Sequence, residues 1–227
     1  IVVVVGLLLW FWFSLPKKLF NAPTSYVIED ADGNLLNATI AADGQWRFPY
    51  NKNVPQKFID CITTFEDKRF FKHPGVDPVS IARAVVKNIK NKGVVQGGST
   101  ITMQVIRLSK KDDRRSIWNK LKESILAVRL EMSYSKKEII ALYASNAPFG
   151  SNVVGLDAAA WRYYGRSPDK LSWSEMATLA VLPNAPALVH PGKNRETLLK
   201  KRNILLDKLS AAGKINQSSC DLAKLEP

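Results

Sequence analysis

The chain has 227 residues, and its 33 Lys and Arg against 20 Asp and Glu give a formal net charge of +13. This length is enough for one large domain or two small ones with a sizeable core. The basic excess indicates an anionic partner: a nucleic acid, a membrane surface or a phosphate-bearing substrate. The sequence has no zinc-finger spacing, RNP motif or long basic tail, so a nucleic acid is not expected.

The two cysteines and two histidines are too few and too scattered for a metal-ligand cluster, so no metal site is predicted. Cys61 lies among Phe58, Ile59 and Ile62. A buried free thiol is the favoured interpretation of Cys61, and a disulfide with the distant Cys220 is the alternative.

The N-terminal run is apolar from Ile1 to Phe13, and residues 1–15 are predicted to form a transmembrane anchor that is truncated upstream. The alternative is the hydrophobic region of a signal peptide, but no small-residue cleavage site follows cleanly. Lys17 and Lys18 would by themselves hold this flank in the cytoplasm, and the upstream flank could outweigh them. The residues therefore leave the orientation open.

Residues 24–49 carry strand and turn signals, with turns at 30–34 and 43–44. They are predicted to form either a small hairpin or a three-stranded strip between the anchor and the main domain. The predicted strands are Ser25–Ile28, Leu35–Ile40 and Gln45–Phe48.

From Pro55 onward the signals are helical, which predicts a mainly α fold. Residues 50–215 are expected to form the main domain, and residues 216–227 to begin the connection to a further region. Capping residues and apolar periodicity predict the helix ends. The first helix is expected to end at Glu66, the second to begin after Asp77, and the third to follow the turn at Gly97–Thr100. The fourth is expected to run from Ser116 to Glu131, and two more to begin at the capping boxes of Ser135 and Ser172. The last is expected to run from Arg195 to Ala212.

The stretch Thr63–Gly75 combines two carboxylates, three cations, a histidine and three phenylalanines. Such a mixture is typical of a charged group held in a partly apolar pocket, as a general acid or base requires. Glu66 is the first candidate, because the flanking phenylalanines would partly desolvate it and make it a better base. The alternative is a surface carboxylate at a helix end. His73 is expected to tie the loop through backbone hydrogen bonds.

The segment Gly97–Gln104 is the second candidate. Glycines before a helix start, followed by hydroxyl side chains, present N–H and O–H donors to an anion. An ordinary capped helix is an equal alternative, and the Gly-Lys-Ser/Thr end of a P-loop is absent. The cations that follow form either a solvated face or a phosphate clamp: Arg107, Lys110, Lys111, Arg114 and Arg115.

Glu123 is the third candidate. It lies nearly opposite an apolar stripe that includes Leu121 and Met132, which suggests a solvated position, but it shares its own face with Leu126 and Leu130. The helix is therefore apolar on two sides, as buried helices are, and the carboxylate is expected to line a cleft.

These three segments and two later ones resemble, in order, the five motifs of the peptidoglycan glycosyltransferases, glycosyltransferase family 51. Met103 stands where a glutamine is usual, and Asn119 replaces an arginine. Trp46-Arg47 and Ala160–Arg162 suggest the penicillin-binding protein 1C branch of the family. The motifs lie at Glu66–Gly75, Gly97–Gln104, Asn119–Glu123, Leu142–Gly150 and Ala180–Pro186, within a resemblance that covers about Phe48 to Pro191.

The resemblance implies a lysozyme-like, mainly α glycosyltransferase domain with a small N-terminal β strip and a truncated transmembrane helix. It implies polymerisation of lipid II into β-1,4-linked glycan strands, with inversion at the MurNAc anomeric carbon and release of undecaprenyl diphosphate. Glu66 matches the catalytic base and Glu123 the second catalytic glutamate. The implied substrate-binding residues are Asp67, Arg69, Ser99, Thr100, Gln104, Arg107, Arg115, Lys120 and Asn146.

The resemblance implies no required cofactor. Because Asn119 removes an expected cation, the diphosphate clamp is expected either to be weaker or to be completed by a neighbour such as Lys120 or by a divalent cation such as Mg²⁺ or Mn²⁺. The expected partners are lipid II, the growing glycan strand, membrane lipid and other cell-wall synthesis proteins. The expected location is the bacterial inner membrane, single-pass, with the catalytic domain on the periplasmic or extracellular side. A lysozyme-like peptidoglycan hydrolase and a non-catalytic cell-wall scaffold are the alternatives.

Overall fold

In a computed structural model of the chain, the described residues are 2–91, 97–110, 116–184 and 194–227. They are mainly helical, as the sequence predicts. The α-helices are α1 (Val2–Phe13), α2 (Gln56–Glu66), α3 (Pro78–Lys90), α4 (Ile101–Lys110), α5 (Ile117–Glu131), α6 (Lys136–Asn146), α7 (Leu156–Tyr164), α8 (Trp173–Val181), α9 (Arg195–Ala211) and α10 (Gln217–Leu225). Short 3₁₀ segments occur at Phe70–Lys72, Pro168–Lys170 and Leu182–Asn184.

Local hydrogen bonds cap several of these helices at the predicted positions. Asp77 and Ser116 each accept a hydrogen bond from a backbone N–H in the first turn of α3 and α5. Ser172 and Glu175 form a capping box at α8. The predicted end of α2 at Glu66 is also confirmed. Such caps need only neighbouring residues, which is why the sequence alone indicates them.

The strands form two separate pairs. Strands β1 (Val27–Glu29) and β2 (Leu35–Ala38) make an antiparallel hairpin, so the predicted hairpin is confirmed. The three-stranded strip is wrong, because β3 (Trp46–Arg47) pairs in parallel with β4 (Val153–Val154) and not with β2. The backbone N–H of Trp46 donates to the carbonyl oxygen of Asn152 at 2.8 Å.

The chain divides into two compact units, and both are discontinuous in sequence. The first unit consists of Ile1–Asn21 and Arg69–Ile139, and the second of Ala22–Lys68 and Ile140–Pro227. The boundary falls inside the stretch Thr63–Gly75, so Glu66 belongs to the second unit and Gly75 to the first.

In the first unit, α5 contacts both α4 and α1. The guanidinium of Arg129 on α5 donates to the backbone oxygen of Trp12 at 3.2 and 3.0 Å and lies 4.7 Å from the centre of the Trp12 ring. Among the described residues, no helix combines the length and the apolar character needed to cross a membrane. The anchor over residues 1–15 therefore remains a prediction.

One face of α5 is buried. Leu126, Ala127 and Leu130 on this face are buried, whereas Leu121 and Met132 are 50% and 60% exposed. The prediction that α5 is buried on two sides is therefore wrong. The face that packs into the unit is the one that Glu123 shares, because α4 covers that side of the helix.

In the second unit, α2 packs against α8 and α9. Phe58 and Ile62 of α2 are fully buried, and the rings of Phe58 and Phe149 lie 6.3 Å apart. Cys61 and Cys220 are both buried and free, which confirms the interpretation of Cys61 as a buried thiol.

Helix α10 is an element that the sequence analysis does not predict. It packs against α8 and α9, although residues 216–227 are predicted as a connecting segment and the helix ending near Ala212 as the last one. Asn216 caps it. The buried guanidinium of Arg202 donates to the carbonyl oxygens of Lys224, Glu226 and Pro227.

Candidate active site

Glu66 lies at the C-terminal end of α2, and its side chain is half-buried. Its position follows from the apolar positions of α2, which hold the helix in the core of the second unit. The amide nitrogen of Asn184 donates to Glu66 Oε1 at 3.4 Å, and Lys201 Nζ donates to Asn184 Oδ1 at 3.1 Å. The side chain of Asn184 therefore bridges the Glu66 carboxylate and the Lys201 ammonium group.

Asp67 and Asn146 are the other predicted site residues of the second unit. Asp67 is buried, and its backbone N–H closes the end of α2 by donating to the carbonyl oxygen of Thr63 at 3.0 Å. Asn146 is half-buried, and its side-chain amide donates to the carbonyl oxygen of Leu142 in the last turn of α6 at 2.9 Å. Both residues thus terminate helices.

A network around Lys136 holds the loop of the first unit. Lys136 Nζ donates to the carbonyl oxygen of His73 at 2.6 Å and to Glu131 Oε1 at 2.7 Å. Thr102 donates to the same carboxylate oxygen at 2.6 Å. The ammonium also lies 4.4 Å from the centre of the Phe70 ring, a distance suited to a cation–π interaction. Lys136 therefore joins the loop to Glu131 at the end of α5, and Glu131 in turn joins α5 to α4.

The end of the loop is fixed at Gly75. The backbone N–H of Gly75 donates to His73 Nδ1 at 3.2 Å, so the predicted role of His73 in tying the loop is confirmed. Thr100 is buried; its hydroxyl donates to the carbonyl oxygen of Gly75 at 2.6 Å and accepts from the N–H of Met103 at 3.1 Å. Thr100 thus caps α4 and joins it to the loop.

Arg69 forms an ion pair within the first unit. Its Nε lies 3.4 Å from Oδ2 of Asp77, whose side chain is fully buried. Burial raises the pKa of Asp77, but hydrogen bonds from Ser80 and Val79 and the charge of Arg69 outweigh it and leave the pKa below its ordinary value. Arg69 therefore helps to stabilise the charged N-cap of α3.

A cavity of about 120 Å³ lies between α4 and α5 in the first unit. It places three cations beside one carboxylate, which suits an anion with several oxygens better than a neutral ligand. The Lys122 ammonium also lies 5.5 Å from the centre of the Trp118 ring. The residues that line the cavity are Arg107, Lys110, Asn119, Lys122 and Glu123.

The cavity contains some of the predicted residues and adds others. Arg107 and Glu123 line it as expected, whereas the exposed Lys120 is not among the lining residues. Lys110, one of the cations named as a possible phosphate clamp, also lines it, and Lys122 lines it without having been predicted. Spacing favours Lys120, which lies three residues before Glu123, but the cavity is on the side of α5 that carries Asn119 and Lys122.

Three further predicted residues complete the comparison. Ser99 and Gln104 are half-buried at the start and in the middle of the α4 segment. Arg115 lies outside the described residues.

Within the described parts of the chain, no group of three or more His, Cys, Asp or Glu side chains is placed to hold a metal ion. The second unit adds Asn184, which belongs to the fifth motif, and Lys201, for which the sequence has no signal.

Comparison with known proteins supports one family. The family model described as Transglycosylase matches residues 32–210. Penicillin-binding protein 1C of Escherichia coli strain K12 is 37% identical over 213 residues, which are 93% of this chain and 28% of that protein. Penicillin-binding protein 1A of Aquifex aeolicus is 35% identical over 214 residues, covering 93% of this chain and 29% of that protein.

The crystal structure of penicillin-binding protein 1A from Haemophilus influenzae is also similar. It has a TM-score of 0.49 and 22% identity, over 91% of this chain and 21% of that one. The chain thus spans less than a third of the length of these relatives.

The match identifies an enzyme domain that transfers glycosyl groups. The chain belongs to the transglycosylase family. The prediction of a peptidoglycan glycosyltransferase is confirmed for the family and the enzyme class, and the relatives include the branch that the sequence suggests.

Proposed function

We propose that this domain polymerises lipid II into β-1,4-linked glycan strands, with inversion at the MurNAc anomeric carbon and release of undecaprenyl diphosphate. The observation that carries the proposal is the family match over residues 32–210, which includes Glu66 at the end of α2 and the cavity that Glu123 lines. The proposal assigns Glu66 as the base that accepts the proton.

The proposed reaction is a single displacement. Glu66 removes the proton from the 4-hydroxyl of the GlcNAc unit of lipid II while that oxygen bonds to the anomeric carbon of the terminal MurNAc of the growing strand. The bond from this carbon to the diphosphate oxygen breaks, and undecaprenyl diphosphate leaves with the electron pair. Asn184, held by Lys201, restricts the side chain of Glu66, which supports its use as a positioned base.

The anion-binding residues are assigned to the first unit. Arg107, Lys110 and Lys122 supply positive charge where the diphosphate gains negative charge, and stabilisation of a developing charge is usually a large part of catalysis. Asn119 supplies an uncharged amide in the same cavity, and Glu123, which also lines it, is assigned as the second catalytic glutamate. The other proposed substrate contacts are Asp67, Arg69, Ser99, Thr100, Gln104, Arg115, Lys120 and Asn146.

The finer features implied by the family are also proposals. They are a lysozyme-like fold, a domain over residues 50–215, an anchor over residues 1–15, a single-pass location in the bacterial inner membrane and a periplasmic or extracellular catalytic side.

No cofactor is required in this proposal, so EDTA should leave the polymerisation rate unchanged. A rise in the rate on adding Mg²⁺ or Mn²⁺ would instead indicate that an ion assists at the diphosphate.

The test is polymerisation of purified lipid II by the wild type and by Glu66→Gln. Loss of a general base should lower the rate by about 10²–10⁴-fold. Glu196→Gln, at an exposed carboxylate of α9, is the matched control and should keep the wild-type rate. Thermal unfolding of each variant checks that the fold is retained. Polymerisation by Glu66→Gln at the wild-type rate would contradict the assignment of the base.

The same assay separates the alternatives. Shortened glycan from mature sacculi, without polymer from lipid II, would identify a hydrolase. Neither product from a folded wild-type protein would favour a scaffold. Glu123→Gln should cause a smaller loss than Glu66→Gln, and unchanged kinetics would reduce Glu123 to a structural residue.

A further inference from the structure

A second cavity lies in the second unit, among residues that the proposed reaction does not use. Its volume is about 580 Å³, within the range of small-molecule sites. It is formed by β1, the segment after β3 and the first turn of α7. The residues that line it are Val27, Glu29, Phe48, Pro49, Tyr50, Asn51, Lys52, Asn53 and Asp157.

The polar part of this cavity is already ordered by Asn51. The Asn51 amide donates to Asp157 Oδ1 at 3.0 Å, and its side-chain oxygen accepts from the backbone N–H of Asn53 at 2.9 Å. The backbone N–H of Asn51 reaches the hydroxyl of Ser145 at 3.4 Å. A ligand that binds here therefore meets donors and acceptors whose positions are set beforehand, which lowers the entropy cost of binding.

The charge of the lining differs from that of the chain. The chain carries a formal net charge of +13, but the cavity is lined by two carboxylates, Glu29 and Asp157, and one cation, Lys52. An anionic ligand such as a phosphate is therefore not favoured in this cavity. The amides of Asn51 and Asn53 instead offer both donors and acceptors, the combination that hydroxyl groups need.

The apolar part is aromatic. Tyr50 is 52% exposed and lies beside Pro49 and the buried Phe48. An exposed aromatic ring next to amides and carboxylates can stack on the C–H face of a sugar ring while the polar groups bind the hydroxyls. We propose that this cavity is a binding site for a neutral saccharide, separate from the residues assigned to the reaction.

The electrostatics of Asp157 agree with this assignment. Burial raises the pKa of Asp157, the hydrogen bond from Asn51 opposes the rise, and the charges of Glu29 and Asp169 add to it. The hydrogen bond from Asn51 therefore offsets only part of the cost of burying the charged carboxylate. Hydroxyl groups of a bound sugar would supply donors to it.

The experiment is titration of the protein with the neutral β-1,4-linked tetramer of N-acetylglucosamine, followed by calorimetry and by amide chemical shifts. The wild type should bind it in the millimolar range, and the shift changes should fall on residues 48–53 and 157. Tyr50→Ala and Asn53→Ala should each weaken binding about fivefold to tenfold. Tyr50→Phe, which keeps the ring, should retain most of the affinity.

Two controls make the result specific. Tyr26→Ala removes a tyrosine that is 80% exposed and does not line the cavity, so its affinity should equal that of the wild type. Glu66→Gln should also bind the tetramer normally, since the saccharide site does not depend on the proposed base. Glu66→Gln should therefore lose polymerisation but keep tetramer binding, so the two proposals can fail independently.

Four results would overturn the proposal. The first three are no binding of the tetramer in the millimolar range, wild-type affinity in both Tyr50→Ala and Asn53→Ala, and shift changes confined to residues 63–75 or 97–110. Binding of ethylammonium in the cavity without binding of the tetramer would also overturn it, because the cavity would then be a cation site.

Discussion

Gly75→Ala is expected to destabilise the first unit strongly. Gly75 has a φ of +92°, and a Cβ built on it would lie 2.6 Å from the carbonyl oxygen and 2.7 Å from the carbonyl carbon of Ala127. Ala127 lies inside α5, so its carbonyl group cannot move without disturbing the helix. The carbonyl oxygen of Gly75 also accepts the hydrogen bond from the Thr100 hydroxyl.

The cost of Gly75→Ala can be built from three contributions. A left-handed φ costs an alanine about 1–2 kcal/mol, overpacking about 1–3 kcal/mol, and weakening of the bond from Thr100 about 1 kcal/mol. The sum is about 3–6 kcal/mol, or a fall in Tm of about 6–24 °C. Urea and thermal unfolding followed by circular dichroism measure this loss.

Two other glycines serve as matched controls. Gly165 has a φ of +67° with nothing within 4 Å of a built Cβ. Gly165→Ala should therefore lower the free energy of unfolding only by the cost of the left-handed φ, about 1–2 kcal/mol. Gly97 has open space and no positive φ, so Gly97→Ala should be neutral or stabilising by up to about 1 kcal/mol. If Gly75→Ala lost no more than Gly165→Ala, the contact with Ala127 would not be rigid and the reasoning would fail.

The other predictions concern charged groups of the first unit. Lys136→Met should cost about 2–4 kcal/mol in urea unfolding, because it leaves the Glu131 carboxylate without its cation, whereas Lys137→Met, at an exposed neighbour, should have little effect. An equal loss in both variants would contradict this. Asp77 has a lowered pKa, so its stabilisation is present above the unfolded pKa of about 3.9 and is lost as the pH falls through the folded pKa. Asp77→Asn keeps a good N-cap and should flatten the dependence of the free energy of unfolding on acidic pH; an unchanged slope would show that Asp77 does not cause it.

The sequence predicts the features that neighbouring residues determine. The caps at Asp77, Ser116 and Ser172 and the end of α2 at Glu66 depend on hydrogen bonds or apolar spacing within a few residues. The tie between His73 and Gly75 is equally local. The five motif segments identify the family by the same kind of short pattern.

Features that depend on partners far along the chain are those that the sequence misses. The pairing of β3 with β4 requires backbone groups from distant segments, and the hydrogen bond from Asn184 to Glu66 joins two motifs. The choice of Lys122 over Lys120 depends on which side of α5 meets α4. Helix α10 escapes prediction because its buried positions are small residues, Cys220 and Ala223, which give a weak apolar pattern.

The packing of α2 determines when Glu66 can acquire its surroundings. Helix α2 precedes the long segment Arg69–Ile139 of the first unit, whereas its partners α8 and α9 follow that segment. A chain made from its N-terminus must therefore complete the first-unit segment while the apolar face of α2, with Phe58 and Ile62, still has no partner helix. Closing so long a loop adds little entropy cost, but the second unit cannot fold until the last third of the chain has been synthesised. During synthesis, the apolar face of α2 is therefore open to aggregation until α8 and α9 exist, and a chain released before α9 would contain Asn184 but lack Lys201, which holds the Asn184 side chain.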